Sequence, residues 1–300
     1  MAWGLAAAFM VLATPRAGAE LRSPDRLEYI GSARIASNDF IGDGKDRWRT
    51  GSYRLSFGFT PPASGPGVGY IRMIEFRLGA EVIAPEKLSR PHEADRRYAG
   101  ILNVGVRAHG TVGRRIYLTS GLEIYVVGPQ TNLYRVHEAI HNAFGMAYSE
   151  RAAELQIDDA TYLATNHEAA WTVQLGPLVA RPFIEAHLGM ETYLRGGVDL
   201  ISGGWDVSRF VTRDMTTGHL MPFGQNQQRI TYVAGIDWAH VAESDLLEHQ
   251  VRRDRLRRRL GVHVHNEGSK LFVGMAYLGP EGINQRGGQR VGSVSITFAF

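Results

Sequence analysis

The last ten residues, "VGSVSITFAF" (residues 291–300), decide the fold class because apolar and polar side chains alternate strictly along them. One face carries Val294, Ile296, Phe298 and Phe300, and the other carries Ser293, Ser295 and Thr297. A period of two puts successive side chains on opposite faces of a β-strand. Two kinds of strand have this pattern: a strand between lipid and a polar lumen, and a half-buried strand of a soluble sandwich.

The same alternation recurs in segments of about ten residues, the length that a tilted strand needs to cross a bilayer. The early segments have the apolar faces Leu27 to Ile35, Tyr53 to Phe59, Tyr70 to Leu78, Leu102 to Val106 and Ile116 to Val126. Later candidates are residues 168–176, 181–194, 195–202, 229–240, 257–266, 269–278 and 291–300. The count favours an all-β fold, a transmembrane antiparallel β-barrel of about 12 strands.

Both ends of the chain indicate export to a bacterial outer membrane. Residues 1–19 have a short apolar run that ends in Ala17-Gly18-Ala19, a small-residue pattern typical of signal-peptide cleavage. Phe300 matches the terminal aromatic residue typical of outer-membrane barrels. We therefore expect a signal peptide at residues 1–19 and one barrel domain at residues 20–300.

Composition excludes several other classes of protein. After residue 20, no apolar run approaches the roughly 18 residues of a membrane-spanning helix. The chain has no cysteine, which excludes disulfides and thiolate metal sites. A net charge of +3 is too small to indicate nucleic-acid binding. No linker divides the chain, and we expect a monomer.

The connections between strands define two rims of the predicted barrel. With the mature N-terminus in the periplasm, the first strand delivers Asn38 and Asp39 to the outer rim, and Thr50 opens the second strand beside them. Residues 84–98 and 127–165 then lie at the same rim. The side on which the connections after residue 190 lie stays open.

One outer connection has helical periodicity. In "QTNLYRVHEAIHNAF" (residues 130–144) the apolar residues recur every three or four positions, which predicts an amphipathic helix that Thr131 or Asn132 caps and Gly145 ends. His137 and His141 lie on one face of it. This spacing is also that of a zinc pair, but no third ligand is spaced to support zinc.

Three segments resemble one known family. "SNDFIGDGKDRWRTGSYRLSF" (residues 37–57), "APEKLSRPHEADRRYAGIL" (residues 84–102) and "VVGPQTNLYRVHEAIHNAFG" (residues 126–145) are similar, in order, to motifs of the LpxR family of lipid A 3′-O-deacylases. The resemblance implies a twelve-stranded outer-membrane barrel that hydrolyses an acyl ester of lipopolysaccharide with the help of Ca²⁺.

The resemblance also implies roles for individual residues. His141 is then the base that activates water, Asp39 a Ca²⁺ ligand, and Asn38, Thr50 and Lys87 further active-site residues. Lys87 is chosen because no other lysine lies between the third and fourth strands. The chain departs from the family in having His137 where glutamine is common, and Thr50-Gly51-Ser52 in place of Thr-Asn-Gly.

Two further sets of residues are candidates for substrate binding. Tyr134 and Phe144 either accommodate acyl chains or seal the helix onto the barrel. In "RRDRLRRRL" (residues 252–260), Arg257 and Arg258 either bind the phosphates of lipopolysaccharide or belong to a solvated or lumenal strand.

Simpler interpretations remain beside these. The cluster Asp43-Gly44-Lys45-Asp46 is explained by a solvated loop. The functional alternative is an inactive outer-membrane barrel that serves as a channel or surface scaffold. An outer-membrane phospholipase would need a serine nucleophile beside a histidine, and no motif marks one.

Overall fold

The computed structural model describes residues 26–61, 71–92, 95–113, 115–146, 148, 150–202, 210–224 and 229–298. The predicted signal peptide, Tyr70 of the third predicted strand and the terminal Phe300 lie outside these ranges. No helix within the described ranges is long and apolar enough to cross a membrane.

Long antiparallel strands form almost the whole structure. They are β1 (Glu28–Asn38), β2 (Trp48–Thr60), β3 (Ile71–Ala84), β4 (Ala99–Val112), β5 (Ile116–Val127), β6 (Ala160–Trp171), β7 (Leu178–Leu188), β8 (Glu191–Ser202), β9 (Ile230–Ser244), β10 (Asp254–Asn266), β11 (Ser269–Leu278) and β12 (Gln289–Phe298). Of the 13 strands in the sheet, the remaining one is the short Val173–Leu175, which continues β6.

The sheet closes on itself. Each strand pairs with its neighbours in sequence, β6 pairs with β7, and β1 pairs with β12 through registers such as Ala36↔Val294. Closure leaves no exposed sheet edge among the twelve strands. The predicted fold, an antiparallel barrel of about 12 strands, is confirmed.

Two predicted strand boundaries are wrong. The segment 168–176 is the end of a strand that begins at Ala160, and the predicted strand 181–194 runs across the turn between β7 and β8. That turn is only Gly189-Met190, and Gly189 takes a positive φ of 153°. Because the alternation continues through so short a turn, the sequence pattern does not reveal it.

Alternation places apolar side chains outside and charged ones inside. Phe76 and Leu78 of β3 are exposed on the outer wall, while Glu75 and Arg77, which alternate with them, are fully buried in the lumen. Glu75 accepts hydrogen bonds from Arg77 Nε (3.0 Å) and pairs with His109 Nε2 (2.7 Å). Buried charges of this kind are stable only when they are paired, so the lumen is a network of ion pairs.

A hairpin from residues 210–224 fills the lumen. Its strands Val211–Arg213 and Leu220–Pro222 pair with each other, and Arg213 bonds Glu168 (2.7 Å) and Asp199 (2.9 Å) of the wall. Gly218 has φ 79° and lies so close to Arg257 that a Cβ would come within 2.7 Å of its guanidinium. We call residues 210–224 the plug. The sequence left open on which side of the barrel this connection lies. In the structure its plug segment returns into the barrel and lies in the lumen.

The prediction that Arg257 binds substrate phosphates is corrected by its position inside the barrel. Arg257 Nε bonds Asp237 (3.1 Å), and its Nη1 donates to the carbonyl of Met215 in the plug (2.8 Å). Arg258 points the opposite way and is exposed on the outer wall. Consecutive strand residues face opposite sides, so the two arginines cannot act together on one ligand.

All three helices lie in connections at one end of the barrel, which we call the long-loop rim. It carries α1 (Asp39–Gly42) between β1 and β2, and α2 (Leu133–Phe144) and α3 (Glu150–Glu154) between β5 and β6. The helix predicted from periodicity is confirmed as α2, and Gly145 ends it with φ 64°. At its start, the backbone N–H of Leu133 approaches the Thr131 hydroxyl (3.3 Å).

Candidate active site at the long-loop rim

Asn38 sets the direction of the chain where β1 ends. Its backbone is extended (φ −154°), and its side-chain Oδ1 accepts a hydrogen bond from the backbone N–H of Phe40 (2.8 Å), which caps α1. An asparagine cap of this kind satisfies an otherwise unpaired helix donor. Capping uses Oδ1 and leaves the side-chain NH₂ group as a hydrogen-bond donor at the rim.

The cap turns Asp39 inward, where its carboxylate is fully buried. Oδ1 accepts from the Thr50 hydroxyl (2.9 Å), and Oδ2 accepts from the backbone N–H of Arg47 (2.9 Å). Burial nevertheless raises the pKa of Asp39 to about 8, because desolvation outweighs these two hydrogen bonds. Within the described ranges, no lysine or arginine side chain forms an ion pair with Asp39.

Thr50 links Asp39 to a second carboxylate, that of Asp46. Its hydroxyl lies within hydrogen-bond distance of Oδ1 of both residues. One hydroxyl proton can satisfy only one of two carboxylates, so the three oxygens need a shared proton or a cation between them.

Asp46 also contacts both histidines of α2. Its Oδ2 contacts Nε2 of His141, and its Oδ1 lies 3.4 Å from Nε2 of His137. The two Nε2 atoms are 3.1 Å apart. Burial alone would raise the pKa of Asp46, but hydrogen bonds from His137 and His141 outweigh it and hold the pKa below its usual value.

Two tyrosines fix the imidazole rings. The Tyr98 hydroxyl lies 3.3 Å from Nδ1 of His137, and the two rings stack with their centroids 5.9 Å apart. The Tyr148 ring meets both imidazoles edge to face, at 5.8 Å from His137 and 5.4 Å from His141. The side chain of His141 is only 3% exposed, so its position is determined by packing as well as by Asp46.

An apolar groove leads from this cluster along the outer wall of the barrel. The barrel contributes Ala36, Tyr53, Ala80 and Val82, and α2 contributes Leu133, Val136 and Ile140. Its volume is about 160 Å³. Ala80 and Val82 continue the face of β3 on which Phe76 and Leu78 are exposed, so the groove opens on the apolar outer surface. His141, Asp46, Thr50 and Asn38 line its polar end.

A family model described as "Outer membrane protein LpxR" matches residues 5–300 of the sequence. The chain belongs to the LpxR family. The barrel is similar to the structure of LpxR from Salmonella typhimurium, with a TM-score of 0.73, 17% sequence identity, and 90% of this chain and 100% of that chain covered. The resemblance inferred from the three segments is thereby confirmed, together with a fold typical of an outer-membrane barrel.

Other solved outer-membrane barrels are less similar. The translocator domain of the autotransporter NalP from Neisseria meningitidis has a TM-score of 0.47 at 12% identity, covering 91% of this chain and 90% of that one. A KdgM porin has a TM-score of 0.44 at 5% identity, covering 90% and 98%. No curated protein sequence matches the chain significantly.

The structure brings together four of the five active-site residues that the LpxR resemblance implies. Asn38, Thr50 and His141 line the polar end of the groove, and Asp39 is buried behind it and accepts the hydrogen bond of the Thr50 hydroxyl. The fifth, Lys87, is exposed in the connection between β3 and β4, and with Asp46 and His141 it lines a neighbouring depression.

The two aromatic residues predicted to bind acyl chains do not line the groove. Tyr134 packs beside a buried cluster of Ala84, Leu88, Tyr98 and Ala152, which seals the helix onto the rim. Phe144 is 43% exposed at the last turn of α2. The helix instead presents Leu133, Val136 and Ile140 to the groove, because these positions share the helix face that is turned toward the barrel wall.

Asp46 is the residue that the sequence interpretation missed. It was assigned to a solvated loop, yet its side chain is 22% exposed and contacts both histidines. The loop "GDGKD" offers several carboxylates, and nothing in the spacing distinguishes Asp46 from Asp43. The prediction that the two histidines have no third potential zinc ligand is also wrong. It was argued from sequence spacing, whereas Asp46 approaches the histidines from a different connection.

Proposed function

We propose that this protein hydrolyses the 3′-linked acyl or acyloxyacyl ester of lipid A in the outer leaflet, using Ca²⁺ and a water molecule activated by His141. The observation that carries the proposal is the position of His141 at the polar end of an apolar groove on the outer barrel wall. A membrane lipid can place an acyl chain in that groove and its ester beside the imidazole without leaving the bilayer surface.

The lining of the groove supports a lipid substrate whose acyl chain is attached through a cleavable ester. Its walls are aliphatic from Val136 and Ile140 on one side to Ala36 and Ala80 on the other, while its end carries carboxylates, a hydroxyl and an imidazole. Burial of the lipid's acyl chain against the aliphatic walls supplies binding energy, and the few polar groups of the groove hold the ester in position. Family membership supports lipid A as the ester in question.

His141 has the surroundings of a general base. We propose that its imidazole takes the proton of the attacking water, while its Nε2 stays in contact with Asp46. The negative charge of Asp46 beside Nε2 stabilises the imidazolium that this transfer creates, as the carboxylate of a serine hydrolase triad does through the ring nitrogen that does not take the proton. Asp46 is therefore a positioning residue that acts through His141.

The residues around Asp39 fit a hard divalent cation. Carboxylate oxygens of Asp39 and Asp46 and the Thr50 hydroxyl lie close together, and hard oxygen donors of this kind are the ligands that Ca²⁺ prefers. Bound Ca²⁺ would polarise the ester carbonyl. The NH₂ group of Asn38, or the ammonium of Lys87 from the neighbouring depression, is the protein donor that would support the oxyanion.

The plug supports a catalytic role over the alternative of a channel. Thr212 and Arg213 of the plug bond Glu75, Glu168 and Asp199 of the wall. These contacts hold the hairpin across the described part of the lumen, where it obstructs the passage of ions. A barrel braced in this way is suited to hold a rim site rigidly.

Mass spectrometry of lipid A tests the proposal. Lipid A from cells that express the protein should lose the mass of its 3′-linked acyl group, in a reaction that a Ca²⁺ chelator stops. His141→Ala should abolish the loss, whereas the matched variant His240→Ala should not, because His240 is exposed and pairs with Asp254 (3.0 Å). Unchanged lipid A with folded wild-type protein and Ca²⁺ present would refute the proposal.

A further inference from the structure

We propose that Asp46, His137 and His141 form a binding site for Zn²⁺ or a similar transition-metal ion, separate in its donor chemistry from the Ca²⁺ ligands. One ligand atom from each of the three residues lies within 4.8 Å of the others. Two imidazole nitrogens and one carboxylate oxygen, with a fourth position open, form a typical catalytic zinc ligand set.

The distances fit a tetrahedral ion. Zinc ligands about 2.0 to 2.1 Å from the metal are about 3.3 Å from one another at tetrahedral angles. The Nε2 atoms of His137 and His141 are 3.1 Å apart, and Nε2 of His137 is 3.4 Å from Oδ1 of Asp46. The contact between His141 and Asp46 is shorter, as expected of a hydrogen bond that a bound ion would replace.

The surroundings also favour a metal. His137 and His141 lie four residues apart on one face of α2, so a rigid helix presents both nitrogens. The Tyr98 hydroxyl contacts Nδ1 of His137, and a partner on the second ring nitrogen orients an imidazole ligand. Asp46 and His141 border both the groove and the neighbouring depression, which gives an ion access.

The nature of the donors separates this site from the proposed Ca²⁺ site. Ca²⁺ selects oxygen ligands, whereas imidazole nitrogens select Zn²⁺ and related ions. His137 contributes only to the nitrogen-containing set, and Asp39, which is bonded to Thr50 and Arg47, contributes only to the oxygen set. The two sites share Asp46.

If the proposed function holds, bound Zn²⁺ should affect ester hydrolysis. Zn²⁺ bound to Nε2 of His141 and to Asp46 would replace their contact and leave the imidazole too electron-poor to take a proton from water. The ion therefore inhibits ester hydrolysis, and its removal restores it. This consequence rests on the proposed function, whereas metal binding does not.

Metal binding to the full-length protein in detergent tests the site without any substrate. Titration with Co²⁺ should give the visible absorption of a four-coordinate ion at one equivalent, and Zn²⁺ should displace it. His137→Gln should weaken Zn²⁺ binding by ~100-fold or more, since loss of a ligand costs at least as much as loss of its outer partner. His240→Gln, at a histidine that also pairs with an aspartate, should leave it unchanged.

Asp39→Asn provides the opposite control, because it should weaken Ca²⁺ binding and leave Zn²⁺ binding intact. Equal Zn²⁺ affinity in wild-type and His137→Gln protein, or a six-coordinate Co²⁺ spectrum, would overturn the site. Zinc binding that depends on His137 in a protein without deacylase activity would uphold the site and refute only the proposed function. Hydrolysis that saturating Zn²⁺ does not inhibit would overturn the inhibition alone.

Discussion

Asp46→Asn tests the most specific feature of the site, the carboxylate between the two histidines. The substitution keeps the size of the side chain and removes its charge. Asp46 contacts Nε2 of His141 and shares the Thr50 hydroxyl with Asp39. Without the charge, the imidazolium that forms when His141 takes a proton loses its nearest anion.

The magnitude follows from that contact. A hydrogen bond to a charged group contributes about 1.5 to 3 kcal/mol, and each ~1.4 kcal/mol is a factor of ten in rate. We therefore expect kcat to fall about 10- to 100-fold. KM should change little, because the aliphatic walls of the groove, including Val136 and Ile140, stay intact.

The assay is Ca²⁺-dependent release of fatty acid from purified lipopolysaccharide, with folding checked by the heat-dependent gel mobility of the barrel. Asp43→Asn is the matched control. Asp43 lies in the same loop but bonds Arg47 (3.3 Å) and the backbone N–H of Arg290 (3.4 Å), so its kcat should stay within about twofold of wild type. A folded Asp46→Asn enzyme with wild-type kcat would refute the assignment of Asp46 as the partner of His141.

Three further predictions concern the plug, the groove and the lumen. Arg257→Met should destabilise the barrel by about 1 to 3 kcal/mol in urea unfolding, because it leaves plug carbonyls and Asp237 short of a hydrogen-bond donor. Arg258→Met on the exposed outer wall should not, and equal stabilities of the two variants would contradict the lumenal position of Arg257. Ala80→Trp should fill the groove and lower kcat/KM for lipopolysaccharide about tenfold or more. Leu78→Trp, further along the same outer face, should have little effect, and activity that is insensitive to both substitutions would place the acyl chain elsewhere. Replacement of residues 211–222 by a flexible linker should raise ion conductance in planar bilayers above that of the wild type, and unchanged conductance would show that wall side chains alone close the lumen.

The sequence alone determined the class of fold, and it did so through one periodicity. A wall with lipid outside and ion pairs inside imposes alternation on every strand, so Phe76 and Leu78 outside and Glu75 and Arg77 inside can be read from the order of residues. The helical period of residues 133–144 and the Gly145 end are equally local. Asn38, Asp39, Thr50 and His141 became candidates because three short segments resemble known motifs in order.

Only the tertiary structure decided which side chains meet. The contact of Asp46 with His137 and His141 joins the connection between β1 and β2 to the connection between β5 and β6, across about ninety positions of sequence, and no local pattern encodes that distance. The return of residues 210–224 into the lumen was undecided for the same reason, since its ion pairs with Glu168 and Asp199 form only when the barrel closes. Periodicity records the environment of each residue, polar or apolar, whereas a site depends on pairs of residues that closure of the sheet brings together.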